Sequence, residues 1–141
     1  MNLLDTLQIS ASGLAAERVR LQSVASNLAN ARTTRSADGS GPYQRRAPIF
    51  EAEGLETFGT AFDRELSQVR VTDIEIKRSE GRLVHDPGHP DADADGNVRY
   101  PDIDVMREMV DMMTTTRSYE ANANVLDATR DLAMRALEIG K

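Results

Sequence analysis

Residues 7–28 read LQISASGLAAERVRLQSVASNL, and within them Leu7, Ala11, Leu14, Arg18, Leu21, Ala25 and Leu28 step by alternating fours and threes. That spacing lays one mostly apolar seam along a single side of an α-helix, the pattern of a coiled coil. The same step recurs near the other end, through Val105, Met109, Met112, Thr116, Tyr119, Ala123, Leu126, Arg130, Ala133 and Leu137. Two helical ends around a glycine- and proline-bearing middle predict a chain that folds back on itself. Its expected class is mainly α with a small β part, the terminal helices paired as an antiparallel coiled coil. Arg18 and Arg130 fit such seams by burying their stems and keeping their guanidinium groups in water.

Working outward, residues 1–31 form the N-terminal helical unit, about 45 Å long at the usual rise per residue. Gly13 within it lowers helix propensity, and close approach of a neighbouring helix is one reason to keep it there. Residues 32–101 read as a small β-rich module with long loops. The run Ser36-Ala37-Asp38-Gly39-Ser40-Gly41-Pro42 is a loop by composition, and 54–60 is loop-like as well. Tyr43 to Ala52 looks extended. Ser67 to Arg78 holds two alternations out of phase by one residue, which predicts a strand bulged near Thr72-Asp73. Residues 82–85 are expected to pair with it. The helical pattern resumes over 102–141, with Pro101, Asp102 and Asp104 suited to a helix start and Gly140 to a stop.

Composition narrows the function classes. The chain has 141 residues, 40% of them hydrophobic but only 4% aromatic, with no tryptophan, so much of its apolar surface lies along the seams. A lone helix pair covers a seam by half, and partners then contribute to stability. A net charge of −6 and the lack of a basic stripe with aromatics argue against nucleic acid. Absence of cysteine removes disulfides and thiolate chemistry. No run of about 18 apolar residues is available to span a bilayer. The opening MNLLDTLQIS lacks a basic start and meets Asp5 and Glu17 too early for a cleaved secretory signal.

One region resembles a chemical site. Asp91, Asp93, Asp95 and Gly96 match the D-x-D-x-D-G opening of a calcium loop, with Asp102 at the twelfth position. The twelfth ligand is normally a bidentate glutamate, and Pro87 and Pro90 bar the entering helix of an EF-hand. The preferred reading is an acidic turn capped by its own side chains, with no metal and no cofactor. A calcium-binding coiled-coil adaptor is the alternative. His85 and His89 sit four apart on a proline-broken segment that cannot set them on one helix face. No nucleophile elbow or phosphate cradle is legible, so no catalytic residue and no enzyme is expected. Four methionines, Met106, Met109, Met112 and Met113, crowd the start of the second helix, as packing residues or as an adaptable docking surface.

Two motifs carry a resemblance. Ser12-Gly13-Leu14, Arg18 and Asn27-Leu28-Ala29-Asn30 form an S-G-L-x-A-x-x-x-R…N-L-A-N pattern, and Arg117-Ser118-Tyr119-Glu120-Ala121-Asn122 forms R-x-Y-x-A-N. Both are similar to the terminal signatures of bacterial flagellar basal-body rod proteins. The acidic proline-containing stretch from Asp86 to Asp93, running on to Tyr100-Pro101, resembles the proximal-rod members, with departures at Asn97 and Asp102. The resemblance implies a structural subunit of a hollow drive shaft that transmits torque and encloses the export channel. It implies export through the flagellar type III apparatus, without a cleaved signal, to the rod in the periplasm. Implied partners are copies of itself, the rod proteins FlgB, FlgF and FlgG, and the rod-base adaptor FliE. The assembly seam is then Leu7, Leu14, Leu21, Leu28, Met109, Met112, Tyr119, Leu126 and Leu137.

Overall fold

A computed structural model describes residues 3–36, 39–54 and 66–139. Of the loop expected over 54–60, Gly54 is instead the last residue of a strand, and 55–60, like the stop at Gly140, lie outside the described residues. Helix α1 spans Leu3–Ala29 and helix α2 spans Val105–Ile139, with four strands between them. α1 ends where Asn30 turns its side-chain amide back to the Ser26 carbonyl at 2.9 Å and Thr33 donates its backbone N–H to the Asn30 carbonyl at 3.0 Å. α2 starts on an N-cap: Asp104 Oδ1 accepts the backbone N–H groups of Met106 (3.0 Å) and Arg107 (3.2 Å), two donors the helix itself cannot satisfy.

Strands β1 (Arg45–Gly54) and β2 (Ser67–Lys77) pair antiparallel in a two-stranded ribbon. Ile49 faces Asp73 while Phe50 faces Val71, so Thr72 is the extra residue of a bulge, where the broken alternation places it. β3 (Arg82–His85) pairs antiparallel with β4 (Asn97–Tyr100) in a separate ribbon. This corrects the expected pairing of 82–85 with 67–78. The reason is local: Gly81, at φ +79°, turns the chain away from β2, while the tight turn through Asp93 and Gly96 brings β4 back onto β3. Val98 is buried there, beside the buried Pro101.

The β1–β2 ribbon lies along α1 and runs opposite to it. Asn27 meets Arg46, Arg20 stacks its guanidinium on Phe50 at 4.7 Å, and Ser12 meets Val69. α2 lies against another flank of α1. Asn27 touches Glu108, and the Gly13 backbone lies under the Asn122 side chain, so numbers fall on α2 as they rise on α1 and the helices are antiparallel. The stripe of α1 that is buried runs through Ser10, Ala16, Ser23, Val24 and Asn27, which are small or polar for the most part. The leucine seam is offset around the helix from this stripe and is covered only by half.

Candidate functional site

Where α1 ends and β1 and α2 begin, four side chains from different segments converge. Asn27 uses its whole hydrogen-bonding capacity. Its Nδ2 donates to the Arg46 carbonyl at 2.9 Å and to Glu108 Oε2 at 3.0 Å. Its Oδ1 accepts the Arg46 backbone N–H at 2.9 Å and the Tyr43 hydroxyl at 3.2 Å. The amide therefore plays the part of a neighbouring strand for one residue of β1. Glu108 is 1% exposed, and its second oxygen accepts Arg45 Nε at 2.7 Å. Arg45 also approaches Asp111 at 3.9 Å. A buried carboxylate is tolerable only with such partners, since losing one leaves a desolvated charge. Tyr43 extends the junction to Ser26, with the two hydroxyls 3.0 Å apart.

The family-motif residues divide between this interior and the surface. Ser12 Oγ donates to the Ile9 carbonyl at 2.8 Å and accepts the Val69 N–H at 3.1 Å, which fixes the edge of β2 opposite the one that Asn27 fixes on β1. A Cβ on Gly13 would stand 3.0 Å from Asn122 Nδ2, so the two motif segments touch at this point. The tight approach that Gly13 allows is thus to the other terminal helix. Asn30 closes α1. Arg18, Arg117, Tyr119 and Ala121 are exposed, while Leu14 and Leu28 are half-buried.

Of the seam residues, Leu7, Leu14, Leu21, Leu28, Met112 and Leu126 are half-buried, whereas Met109, Tyr119 and Leu137 are exposed. Arg18, Leu21, Gln22, Ala25 and Tyr119 line an open groove of about 350 Å³ between the helices. At 100° per residue these α1 positions fall on the flank roughly opposite the ribbon, which holds Ser12, Arg20 and Asn27. Further apolar surface stands free on α2, with Met106 at 70% exposure and Val110 and Met113 beside it. Carrying the register on from Gly13–Asn122, Leu3 stands level with Leu132, so Leu137 and Ile139 run past the described start of α1 and are exposed.

The acidic loop does not gather its carboxylates. Asp91 accepts Thr34 Oγ1 at 2.7 Å and pairs with Arg35 at 2.7 Å. Asp93 Oδ1 accepts the N–H groups of Asp95 (3.0 Å) and Asn97 (2.8 Å), and Asp102 accepts Ser79 Oγ at 3.4 Å. Among the described residues no three acidic or histidine side chains converge as metal ligands. The calcium alternative is set aside: Asp91 and Asp102 anchor other segments, and Asp93 shapes its own turn.

Sequence reading named Asn27 but not Glu108, Arg45 or Tyr43. One signal was present. Glu108, Thr115, Asn122 and Thr129 recur every seven residues and mark a second stripe on α2 beside the apolar seam. Three of the four are buried, and Asn122 covers Gly13.

The chain is similar to known proteins along its whole length. Residues 7–35 match the family described as flagella basal body rod protein, and residues 94–139 match the flagellar basal body rod FlgEFG protein C-terminal family. The flagellar basal-body rod protein FlgC of Bacillus subtilis is 42% identical over 151 residues, covering all of both chains. That of Aquifex aeolicus is 43% identical over 143 residues, covering 100% of this chain and 99% of the relative. The FlgC of Borreliella burgdorferi is 35% identical over 150 residues, covering 99% and 98%.

Proposed function

Because this chain belongs to the FlgC family of flagellar basal-body rod proteins, we propose that its seams are the surfaces through which it enters the rod. It is a structural subunit of the flagellar basal body, assembling with other rod components and serving motility, and not an enzyme. The finer reading is that residues 1–31 and 102–141 form an axial coiled-coil unit of the proximal rod, which carries residues 32–101 as a side module. Copies of this chain and of FlgB, FlgF, FlgG and FliE cover the seam. The assembled helices enclose the export channel and transmit torque. The subunit reaches the periplasm through the flagellar type III export apparatus, where a chain without disulfides threads unfolded.

One observation carries this reading: the leucine seam is half-buried, and at Leu21 it opens into an apolar groove on the flank that the ribbon leaves bare. Apolar surface of that kind gains stability when a neighbour removes it from water. Leu21→Asp places a charge on that flank, and Leu126→Asp places one on the α2 seam, seven residues beyond Tyr119. In the free chain, where both positions keep contact with water, the cost is about 1 kcal/mol. Under a covering neighbour the charge loses its water and the cost rises to several kcal/mol. Either variant is expected to be produced at normal level yet to be missing from purified basal bodies, leaving cells non-motile in soft agar. Asp93→Asn with Asp95→Asn, which leaves the seam intact, is expected to swim. Motile seam variants beside paralysed loop variants would reject the reading.

A further inference from the structure

The stripes that bring α1 and α2 together are nearly periodic, and this raises the question of what fixes their register. On α1 the contact positions Gly13 and Asn27 stand fourteen apart, with Arg20 midway; on α2 Glu108, Thr115 and Asn122 are spaced by sevens. The leucine seam repeats by sevens as well. Sliding one helix past the other by seven residues therefore preserves the small-and-polar stripe and the apolar seam together, and apolar contacts discriminate poorly between such registers. Two places break the repeat: Gly13, where Asn122 packs on a position without a side chain, and the junction, which alone is charged.

We infer that Glu108, gripped by Arg45 and Asn27, selects the register in which the two terminal helices pair. In the observed register Glu108 meets Asn27, which is itself fixed to the Arg46 backbone through two bonds of 2.9 Å. Arg45, the adjacent residue of β1, closes on the same carboxylate at 2.7 Å. A slide of seven in one direction sets Asn27 against Thr115 and carries Glu108 past the end of α1, leaving Arg45 without its carboxylate. The opposite slide brings Glu108 level with Arg20 but removes it from both Arg45 and Asn27. Each alternative strands at least one charged or polar group that the observed register satisfies; it also takes Asn122 off Gly13, a matter of side-chain fit and not of charge. A buried polar contact that costs stability and fixes register is a known device of paired helices. Arg45 ties that choice to the ribbon, so helix register and ribbon position are set together. The inference deepens the rod-subunit reading and rests on it for its consequence, since only subunits in one register present their seams at one height.

The chain has no cysteine, so introduced thiols report cleanly. Gly13→Cys is combined in turn with Asn122→Cys, Thr129→Cys or Thr115→Cys in the full chain, oxidised mildly, and read as a mobility shift on non-reducing gels. The first pair reports the observed register and the other two report the seven-residue slides. With Glu108 present, only the 13–122 bond is expected. With Glu108→Leu, bonds 13–129 or 13–115 are expected to appear at the expense of 13–122. With Glu108→Gln, which still accepts from Asn27, 13–122 is expected to become dominant again. Glu108→Leu retaining 13–122 alone would overturn the inference. Loss of all three bonds in Glu108→Leu would also overturn it, by showing that the residue holds the helices together and does not choose between registers. These bonds form within one chain whether or not rods assemble, so failure here is separable from failure of the seam variants in motility.

Discussion

Arg45→Ala removes one partner from a carboxylate that has almost no access to water, and its cost follows from the geometry. Glu108 keeps the 3.0 Å bond from Asn27 but loses the 2.7 Å bond from Arg45 Nε. Breaking a fully buried ion pair from one side costs about 3–5 kcal/mol. The Arg45 side chain is a quarter exposed, so water follows into the space it vacates and the expectation falls to about 2 kcal/mol. Against a total stability of roughly 5–15 kcal/mol that is a large share. Urea denaturation of the full chain, followed by far-ultraviolet circular dichroism, reads it as a midpoint lowered by about 1 M for a slope of about 2 kcal/mol/M. The decisive measurement is the double-mutant cycle with Glu108→Gln. Once Glu108 carries no charge, removing Arg45 strands nothing, so the double variant is expected to fall short of additivity by more than about 1 kcal/mol. Strict additivity, or an Arg45→Ala cost below about 0.5 kcal/mol, would refute the reasoning.

Asp104→Ala removes the acceptor for the Met106 and Arg107 N–H groups and is expected to lower stability by about 1 kcal/mol, with amide exchange rising in the first turn of α2 alone. Gly81→Ala forces a side chain into a left-handed backbone position (φ +79°) and against the Tyr100 carbonyl oxygen; a cost above about 1 kcal/mol and loss of β3–β4 amide protection are expected. Calcium at millimolar concentration is expected to leave the melting temperature of the full chain unchanged, and a clear rise would restore the acidic loop as a metal site.

Sequence periodicity located what depends on nearest neighbours. The helices, the extended stretches of β1 and β2 and the bulge at Thr72 all leave local traces, because a side chain's face is set by its own backbone, whereas the pairing of β1 with β2 was not read from the sequence. What joins the elements left less. Residues 82–85 carry only Leu83 and Val84 as apolar signal, so their partner was decided by turns at Gly81 and Gly96 and not by pattern. The α1–α2 contact was harder still. Leucines drew attention to one seam, while the closer approach runs over Gly13, Asn122, Asn27 and Glu108, residues too small or too polar to register as core. Their heptad spacing was visible, but that Glu108 would find Arg45, 63 positions earlier, was not.

The ribbon lying along α1 has a kinetic consequence. Within residues 3–77 the tie from Gln8 to Gln68 closes over 60 residues, whereas Asn27 to Glu108 closes over 81. Loop-closure entropy grows only logarithmically with length, so the second closure is little dearer than the first once α1 and the ribbon have formed a template. It also comes later for a chain synthesised from its N-terminus, since α2 follows the ribbon in sequence. α1 and its ribbon are then a landing platform that waits, one-sided, for the 35 residues of α2 to arrive. Until they do, the flank that α2 covers is open to the corresponding helix of a neighbour, and exchange of that helix between adjacent copies keeps the α1–α2 contacts while the segment 101–104, with its Asp102–Ser79 contact, gives way.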